Sequence, residues 1–133
     1  MLKRTSLKKK PYTIKKVSEK QKVKKELKKE QSRLRHEMFL EIWDERELEE
    51  NGVRFVRCFE TNRVMLRDWY MENSCCYSHT LPKNKYPQYD LCKWNVEIIL
   101  PDVHANWEMN QDKFPKLKAR YEELLQKHLN NEL

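Results

Sequence analysis

The stretch that decides the fold is residues 74–108, SCCYSHTLPKNKYPQYDLCKWNVEIILPDVHANWE. Its clearest element is a short strand over 96–100, which is apolar and β-branched. A first strand ends near His79, and a loop with two prolines joins it to the second. Pro101 suits the first turn of a helix, which we predict over about 102–109. The stretch therefore predicts two strands followed by a helix.

Four polar side chains of this stretch can meet beside one ion. His79 ends the first strand, Asn95 precedes the second, and His104 and Glu108 lie on the helix. Because His104 and Glu108 are four residues apart, both point to one helix face and can ligate the same ion. A neutral imidazole can accept a proton near neutral pH. The pattern predicts a histidine, an orienting amide and a pair of metal ligands in one cleft.

The flanking segments add a hairpin and two longer helices. Partial alternation over 53–59 predicts a half-buried strand, with 64–66 returning as its partner. A capping box at Ser18 begins a long charged helix over 18–51, which an Asn-Gly pair ends. A last amphipathic helix is predicted over 115–129.

These elements divide the chain into a basic disordered arm over 1–17, the charged helix over 18–51, and one small domain over 52–133. The fold class is α+β. Apolar residues make up 38% and charged residues 37% of the chain, so the core must be small. Packing that core is the role expected of the four tryptophans, Trp43, Trp69, Trp94 and Trp107.

Charge is concentrated at the N-terminus. Residues 1–35 contain fifteen Lys/Arg and three Glu (+12), whereas residues 36–133 contain thirteen Lys/Arg and eighteen Asp/Glu (−5). A cationic arm releases counterions when it meets a polyphosphate, and it lacks the apolar face of an interfacial helix, so nucleic acid is favoured over a membrane. The candidate nucleic-acid contacts are Lys8, Lys9, Lys10, Lys15 and Lys16 in the arm, and Lys83, Lys85 and Tyr86 in the loop after His79.

Other classes of protein are disfavoured by composition. A single glycine, Gly52, argues against a glycine-rich phosphate loop. No apolar run approaches the length of a membrane span, and the N-terminus lacks the apolar stretch of a secretory signal, so a cytoplasmic protein is expected. No C-x-x-C pair occurs among the cysteines, which disfavours a structural zinc and favours reduced thiols.

Taken in order, several short motifs resemble one superfamily. They are Cys58-Phe59-Glu60-Thr61, Ser78-His79-Thr80-Leu81-Pro82-Lys83, Tyr86-Pro87, Asn95-Val96-Glu97-Ile98-Ile99 and His104-x-x-x-Glu108. This set resembles the HNH, or ββα-metal, endonucleases, and among them it is most similar to phage recombination nucleases of the NinG (Rap) type. The resemblance covers about residues 53–129.

The resemblance implies a role for each matching residue. His79 would be the general base that activates water for attack on a phosphodiester, and Asn95 would fix the loop or the His79 ring. His104 and Glu108 would ligate one divalent ion, Mg²⁺ or Mn²⁺. The implied function is a metal-dependent DNA endonuclease of phage recombination or DNA processing, acting on branched or single-stranded DNA.

Two other interpretations remain open. Ser78 stands where the family usually carries a metal ligand, which agrees with a catalytically inactive DNA-binding or virion-associated protein on a degenerate HNH fold. Alternatively, the helix that begins at Ser18 could pair in a coiled coil through Val23, Leu27 and Leu34, although Gln31 interrupts that stripe.

Overall fold

The computed structural model describes residues 18–133 and shows a mixed α+β fold. This part of the chain contains four α-helices, several single 3₁₀ turns and two small antiparallel sheets. The helices and strands are α1 (Glu19–Arg46), β1 (Leu48–Glu50), β2 (Val53–Arg57), β3 (Val64–Leu66), α2 (Arg67–Tyr70), β4 (Tyr77–His79), β5 (Val96–Ile98), α3 (Pro101–Trp107) and α4 (Pro115–Leu129). The predicted arm over 1–17 lies outside the described residues.

Helix α1 has an exposed first half and a buried second half. Ser18 caps it as predicted, because its Oγ accepts a hydrogen bond from the Gln21 amide at 3.3 Å. Every residue from 18 to 34 is exposed. The second half packs into the core through four large side chains, Met38, Phe39, Ile42 and Trp43. Only the second half of α1 is therefore part of the domain core.

The predicted end of this helix at residue 51 is wrong, because α1 ends at Arg46. Residues 48–50 form β1, which pairs with β2. Asn51 and Gly52 form the two-residue turn between these strands, with φ of 51° and 78°. Positive φ at both positions is the requirement of a type I′ hairpin turn, which Asn-Gly meets at little steric cost. The Asn-Gly pair thus closes a hairpin instead of ending a helix.

Strands β1, β2 and β3 form the first sheet, in that order. The predicted return over 64–66 is present, with Val56 opposite Met65 in the register of β2 and β3. Val56 and Met65 both face the core. The strand predicted over 53–59 is shorter than expected and ends at Arg57, because Cys58 and the residues after it form the turn.

The second sheet pairs β4 with β5 and leads directly into α3. Tyr77 lies opposite Ile98, and His79 lies opposite Val96. Pro101 occupies the first turn of α3, as the sequence predicted. Two strands followed by a helix are therefore present in the predicted order, although α3 ends at Trp107, two residues early.

The tryptophans do not all pack the core. Trp43 and Trp107 are buried, and Trp94 is half-buried. The core position expected of Trp69 is wrong, since this residue is 76% exposed. Trp69 lies on the four-residue helix α2, where the neighbouring Tyr70 takes the side that packs against the core.

Helix α4 has the predicted bounds, and Leu117 and Leu124 form the buried part of its inner face. Leu129, at the end of the helix, is 66% exposed. Among residues 18–133, no helix combines the length and apolar character needed to cross a membrane.

Candidate functional site

A cavity of about 740 Å³ lies between the second half of α1, strand β4, the loop that follows β4, and α3. It brings together residues that are far apart in sequence. The lining residues are Ser32, Arg35, His36, Phe39, Ser74, Cys75, Tyr77, His79, Pro82, Lys83, Asn84, His104 and Glu108. Of the candidate site residues, His79, Lys83, His104 and Glu108 therefore share one cavity.

His79 is held by one edge of its ring. Its Nε2 lies 2.9 Å from the carbonyl oxygen of Asp90 and 3.0 Å from the Asp90 Oδ1. Both oxygens accept hydrogen bonds, so Nε2 carries the proton and Nδ1 is left as the acceptor. Burial lowers the pKa of His79 and outweighs the opposing effect of Asp90. The ring is therefore neutral at pH 7, with one nitrogen free to accept a proton.

Asp90 is buried, and α1 supplies its other partners. Arg35 donates two hydrogen bonds to its carboxylate, Nε to Oδ1 at 2.7 Å and Nη2 to Oδ2 at 2.6 Å. Gln31 donates a third from Nε2 to Oδ2 at 2.9 Å. Burial raises the pKa of Asp90, but these partners and His79 outweigh it, and the net pKa is lowered. The carboxylate stays ionised and holds the His79 ring.

Sequence reasoning missed Asp90. It lies in the loop after β4, next to no recognisable motif, and its partner Arg35 is 55 residues away. An acidic residue in a loop is ordinarily a solvated charge. Only a sequence comparison in which Asp90 and Arg35 vary together could have revealed the pair.

Asn95 is fully buried and fixes the loop between the two strands. Its Oδ1 accepts a hydrogen bond from the Leu81 amide at 2.8 Å. Its Nδ2 donates to the carbonyl oxygens of Leu81 at 3.0 Å and Tyr89 at 3.3 Å. One amide thus joins both ends of the loop. The sequence left open whether Asn95 would fix the loop or the His79 ring, and these contacts agree with the loop.

His104 lies on α3, at the wall of the cavity. Its Nδ1 lies 2.6 Å from the carbonyl oxygen of Cys75, to which it donates, so Nε2 remains available as a ligand. A histidine that binds a metal usually donates its other nitrogen to such an oxygen. Glu108, at the C-terminal end of α3, is exposed and also lines the cavity.

The few ligand groups at the cavity suit an ion that takes most of its ligands from water or substrate. No group of three or more His, Cys, Asp or Glu in residues 18–133 is placed to hold a metal. Ser78 is buried and does not line the cavity, because strand alternation points it away from the face that carries Tyr77 and His79. Mg²⁺ commonly takes one or two protein ligands and completes its shell with water and phosphate, so His104 and Glu108 fit such an ion in number.

The predicted DNA contacts separate into three groups. Lys83 is exposed at the cavity. Lys85 and Tyr86 lie off it, and the Tyr86 ring packs edge-on against His128 of α4, with ring centroids 5.0 Å apart. The remaining predicted contacts lie outside the described residues, and these are Lys8, Lys9, Lys10, Lys15 and Lys16.

Comparison of the chain with protein-family models, with curated proteins and with solved structures gives no match in any of the three.

Proposed function

We propose that this protein is a divalent-metal-dependent DNA endonuclease of the HNH type, in which β4, β5 and α3 form the ββα-metal core. One observation carries the proposal. The Nε2–H of His79 is held by Asp90, which leaves Nδ1 as a proton acceptor in a cavity that His104 also lines. This is the arrangement that a general base requires.

Each step of the proposed hydrolysis has a group to perform it. Nδ1 of His79 takes a proton from water as the water oxygen bonds to phosphorus and the bond to the leaving oxygen breaks. His104 and Glu108 would hold an Mg²⁺ or Mn²⁺ ion, which when bound supplies charge stabilisation to the phosphate and the leaving oxygen. Lys83 would attract the phosphate backbone at the rim of the cavity.

Cleavage of a supercoiled plasmid and of a four-way DNA junction, with Mg²⁺, Mn²⁺ or EDTA, tests the proposal. We expect cleavage with either ion and none in EDTA. The His79→Ala substitution should lower the cleavage rate by about 10²- to 10⁴-fold, and His104→Ala should lower it and raise the metal concentration needed.

The matched control is Asn106→Ala, which changes an exposed residue on the same helix as His104 that does not line the cavity. It should leave the cleavage rate unchanged. Thermal unfolding of all three variants shows whether they are folded. A His79→Ala protein that is folded and cleaves as fast as the unsubstituted protein would contradict the assignment of the base.

A second candidate function is DNA binding without catalysis, in a virion-associated or other structural role. It is favoured by the presence of only His104 and Glu108 as predicted metal ligands at the cavity and by the buried Ser78. It predicts salt-sensitive binding and no cleavage with any ion. The same plasmid assay separates the two functions, because binding without cleavage in Mg²⁺ or Mn²⁺ supports the second.

A further inference from the structure

The glutamates and most of the unpaired lysines of α1 lie on different sides of the helix. Glu19, Glu26, Glu30 and Glu37 follow one another at spacings of seven, four and seven residues, so they share one side of the helix. Lys22 is paired with Glu19, and the remaining lysines of this segment lie on other sides of the helix or, like Lys29, at the edge of the acidic side. Of these we name Lys25, Lys28 and Lys29 the lysine stripe.

The lysine stripe continues the wall of the cavity along α1. Lys25 lies seven residues before Ser32, Lys28 seven before Arg35, and Lys29 seven before His36. Residues seven apart are two helical turns apart on the same face. Ser32, Arg35 and His36 line the cavity, so the three lysines extend the same face outward.

The charges of the lysine stripe are available to a partner. All three side chains are exposed, and none forms an ion pair with a residue in 18–133. Arg33, by contrast, is paired with Glu30 and with Glu37 on the acidic side. The helix therefore presents three unpaired cations on the side of the cavity, whereas Arg33 and the glutamates lie on the other side.

The apolar residues of this segment lie away from the stripe. Leu27 is three residues before Glu30 and Leu34 four after it, which places both beside the acidic side. A helix that lies on an anionic membrane buries a large apolar face and carries Lys and Arg on its polar face. In this half of α1 the apolar face is small and is bordered by glutamates, which such a membrane repels, whereas a row of phosphates fits a row of exposed lysines.

We propose that the lysine stripe binds the phosphate backbone of duplex DNA that enters the cavity, an inference that rests on the proposed function. From Lys25 to Arg35 the helix rises about 15 Å, at about 1.5 Å per residue. Phosphates along one strand are about 3.4 Å apart along the helix axis. The DNA therefore extends along α1 for about four to five nucleotides beyond the phosphate in the cavity.

Binding of a 30-base-pair duplex, measured against salt concentration in EDTA so that no cleavage occurs, tests this inference. The Lys25→Gln, Lys28→Gln, Lys29→Gln triple variant should bind more weakly. The slope of log K against log salt should become shallower by about two to three, since each lost phosphate contact removes about 0.9 from it.

The matched control removes the same charge elsewhere, through Lys20→Gln, Lys113→Gln and Lys116→Gln, all of which are exposed and form no ion pair with a described residue. Its slope should be unchanged, and both triple variants should unfold at the same temperature. Equal weakening in the two variants, or none in either, overturns the inference. So does a stripe variant that keeps its DNA binding and loses only its binding to anionic phosphatidylserine vesicles.

The two proposals can fail separately. The change in DNA binding between the variants in EDTA tests the lysine stripe, whereas plasmid cleavage tests His79. A stripe variant with normal binding beside an inactive His79→Ala variant leaves the endonuclease proposal intact and removes this inference. A stripe variant with weakened binding in a protein that never cleaves removes the endonuclease proposal only.

Discussion

Two buried carboxylates, Asp90 and Glu97, both lie beside arginines, but the pKa of Asp90 is lowered and that of Glu97 is raised. Arg46 lies 2.9 Å from Glu97 and Arg120 lies 3.7 Å from it, yet burial outweighs both arginines and raises the pKa of Glu97. At Asp90 burial also raises the pKa, but the hydrogen bonds and charge of Arg35 prevail, and the net pKa is lowered. The ionised form is therefore favoured by folding at Asp90 and disfavoured at Glu97.

This difference predicts opposite effects of replacing each carboxylate with an amide. Asp90→Asn should lower the free energy of unfolding by about 1–3 kcal/mol at pH 7, because it weakens charged hydrogen bonds to Arg35. Glu97→Gln should change it by less than about 1 kcal/mol, because the amide resembles the protonated form that folding prefers. Urea unfolding at pH 7 measures both.

The two pKa shifts also predict opposite pH dependences of the free energy of unfolding. A lowered pKa at Asp90 stabilises the fold above the unfolded-state pKa of about 3.9, and that stabilisation is lost as pH falls through the folded-state value. The deficit of Asp90→Asn should therefore shrink at acidic pH. At Glu97 the stabilisation is present in acid and is lost as pH rises through the raised pKa. A deficit of Asp90→Asn that stays constant from pH 7 to acid contradicts this account.

Asp90 should also affect the proposed catalysis, as a positioning residue. Asp90→Asn should reduce the cleavage rate by up to about 100-fold, because an uncharged amide holds both Arg35 and the His79 ring more weakly than the carboxylate does. Asp90 raises the pKa of His79, so its loss should move the acid limb of the pH–rate profile to lower pH. Glu97→Gln is the control and should move neither the rate nor the limb. A lower rate with an unmoved limb indicates a structural role alone.

At this scale, sequence reasoning reaches residues that sit in motifs and misses those that meet through folding. The spacing of His79, His104 and Glu108 predicted a common cleft, and all three line one cavity. Strand ends and helix faces have periods that fix where such side chains point. The contact of Arg35 with Asp90 has no local pattern, because it depends on how α1 packs across the domain.

Among the elements, α1 is the one whose two halves should respond differently to substitution. Ile42→Ala, in the buried half, should lower the free energy of unfolding by about 2–5 kcal/mol because it leaves a cavity. Leu27→Ala, in the exposed half, should change it by no more than about 0.5 kcal/mol. Urea unfolding gives both values. A large effect of Leu27→Ala would show that this half of α1 is buried in solution, as a coiled-coil dimer would require.

The elements also show where local sequence signals suffice. Helix α4 and the cap of α1 were predicted, because Pro115 and Ser18 are strong local signals. The end of α1 was not, because Asn51-Gly52 is compatible both with a helix stop and with a hairpin turn. Residues 48–50 pair with β2, so the Asn-Gly pair forms the hairpin turn. The composition of residues 48–50 favours a helix and gives no sign of this pairing.

For the whole molecule, the reactivity of the free cysteines should report unfolding. Cys75 is exposed at the rim of the cavity, whereas Cys76 is fully buried and burial raises its pKa to about 12. We expect Cys75 to react rapidly with a thiol reagent, and Cys76 to react only as the whole domain opens. Thiol titration with and without urea measures this, with Cys75→Ser removing the fast phase. Reaction of Cys76 at the rate of Cys75 in the native protein contradicts the described core.

Because α1 is one uninterrupted helix from Glu19 to Arg46, it joins its free half mechanically to the histidine cavity. A continuous helix is stiff, so a partner that restrains one part of it also restrains the next. Anything that grasps the outer turns also restrains Gln31 and Arg35, and through them the carboxylate that steadies the His79 imidazole. Binding at the exposed turns of α1 should therefore also stabilise the orientation of the His79 ring.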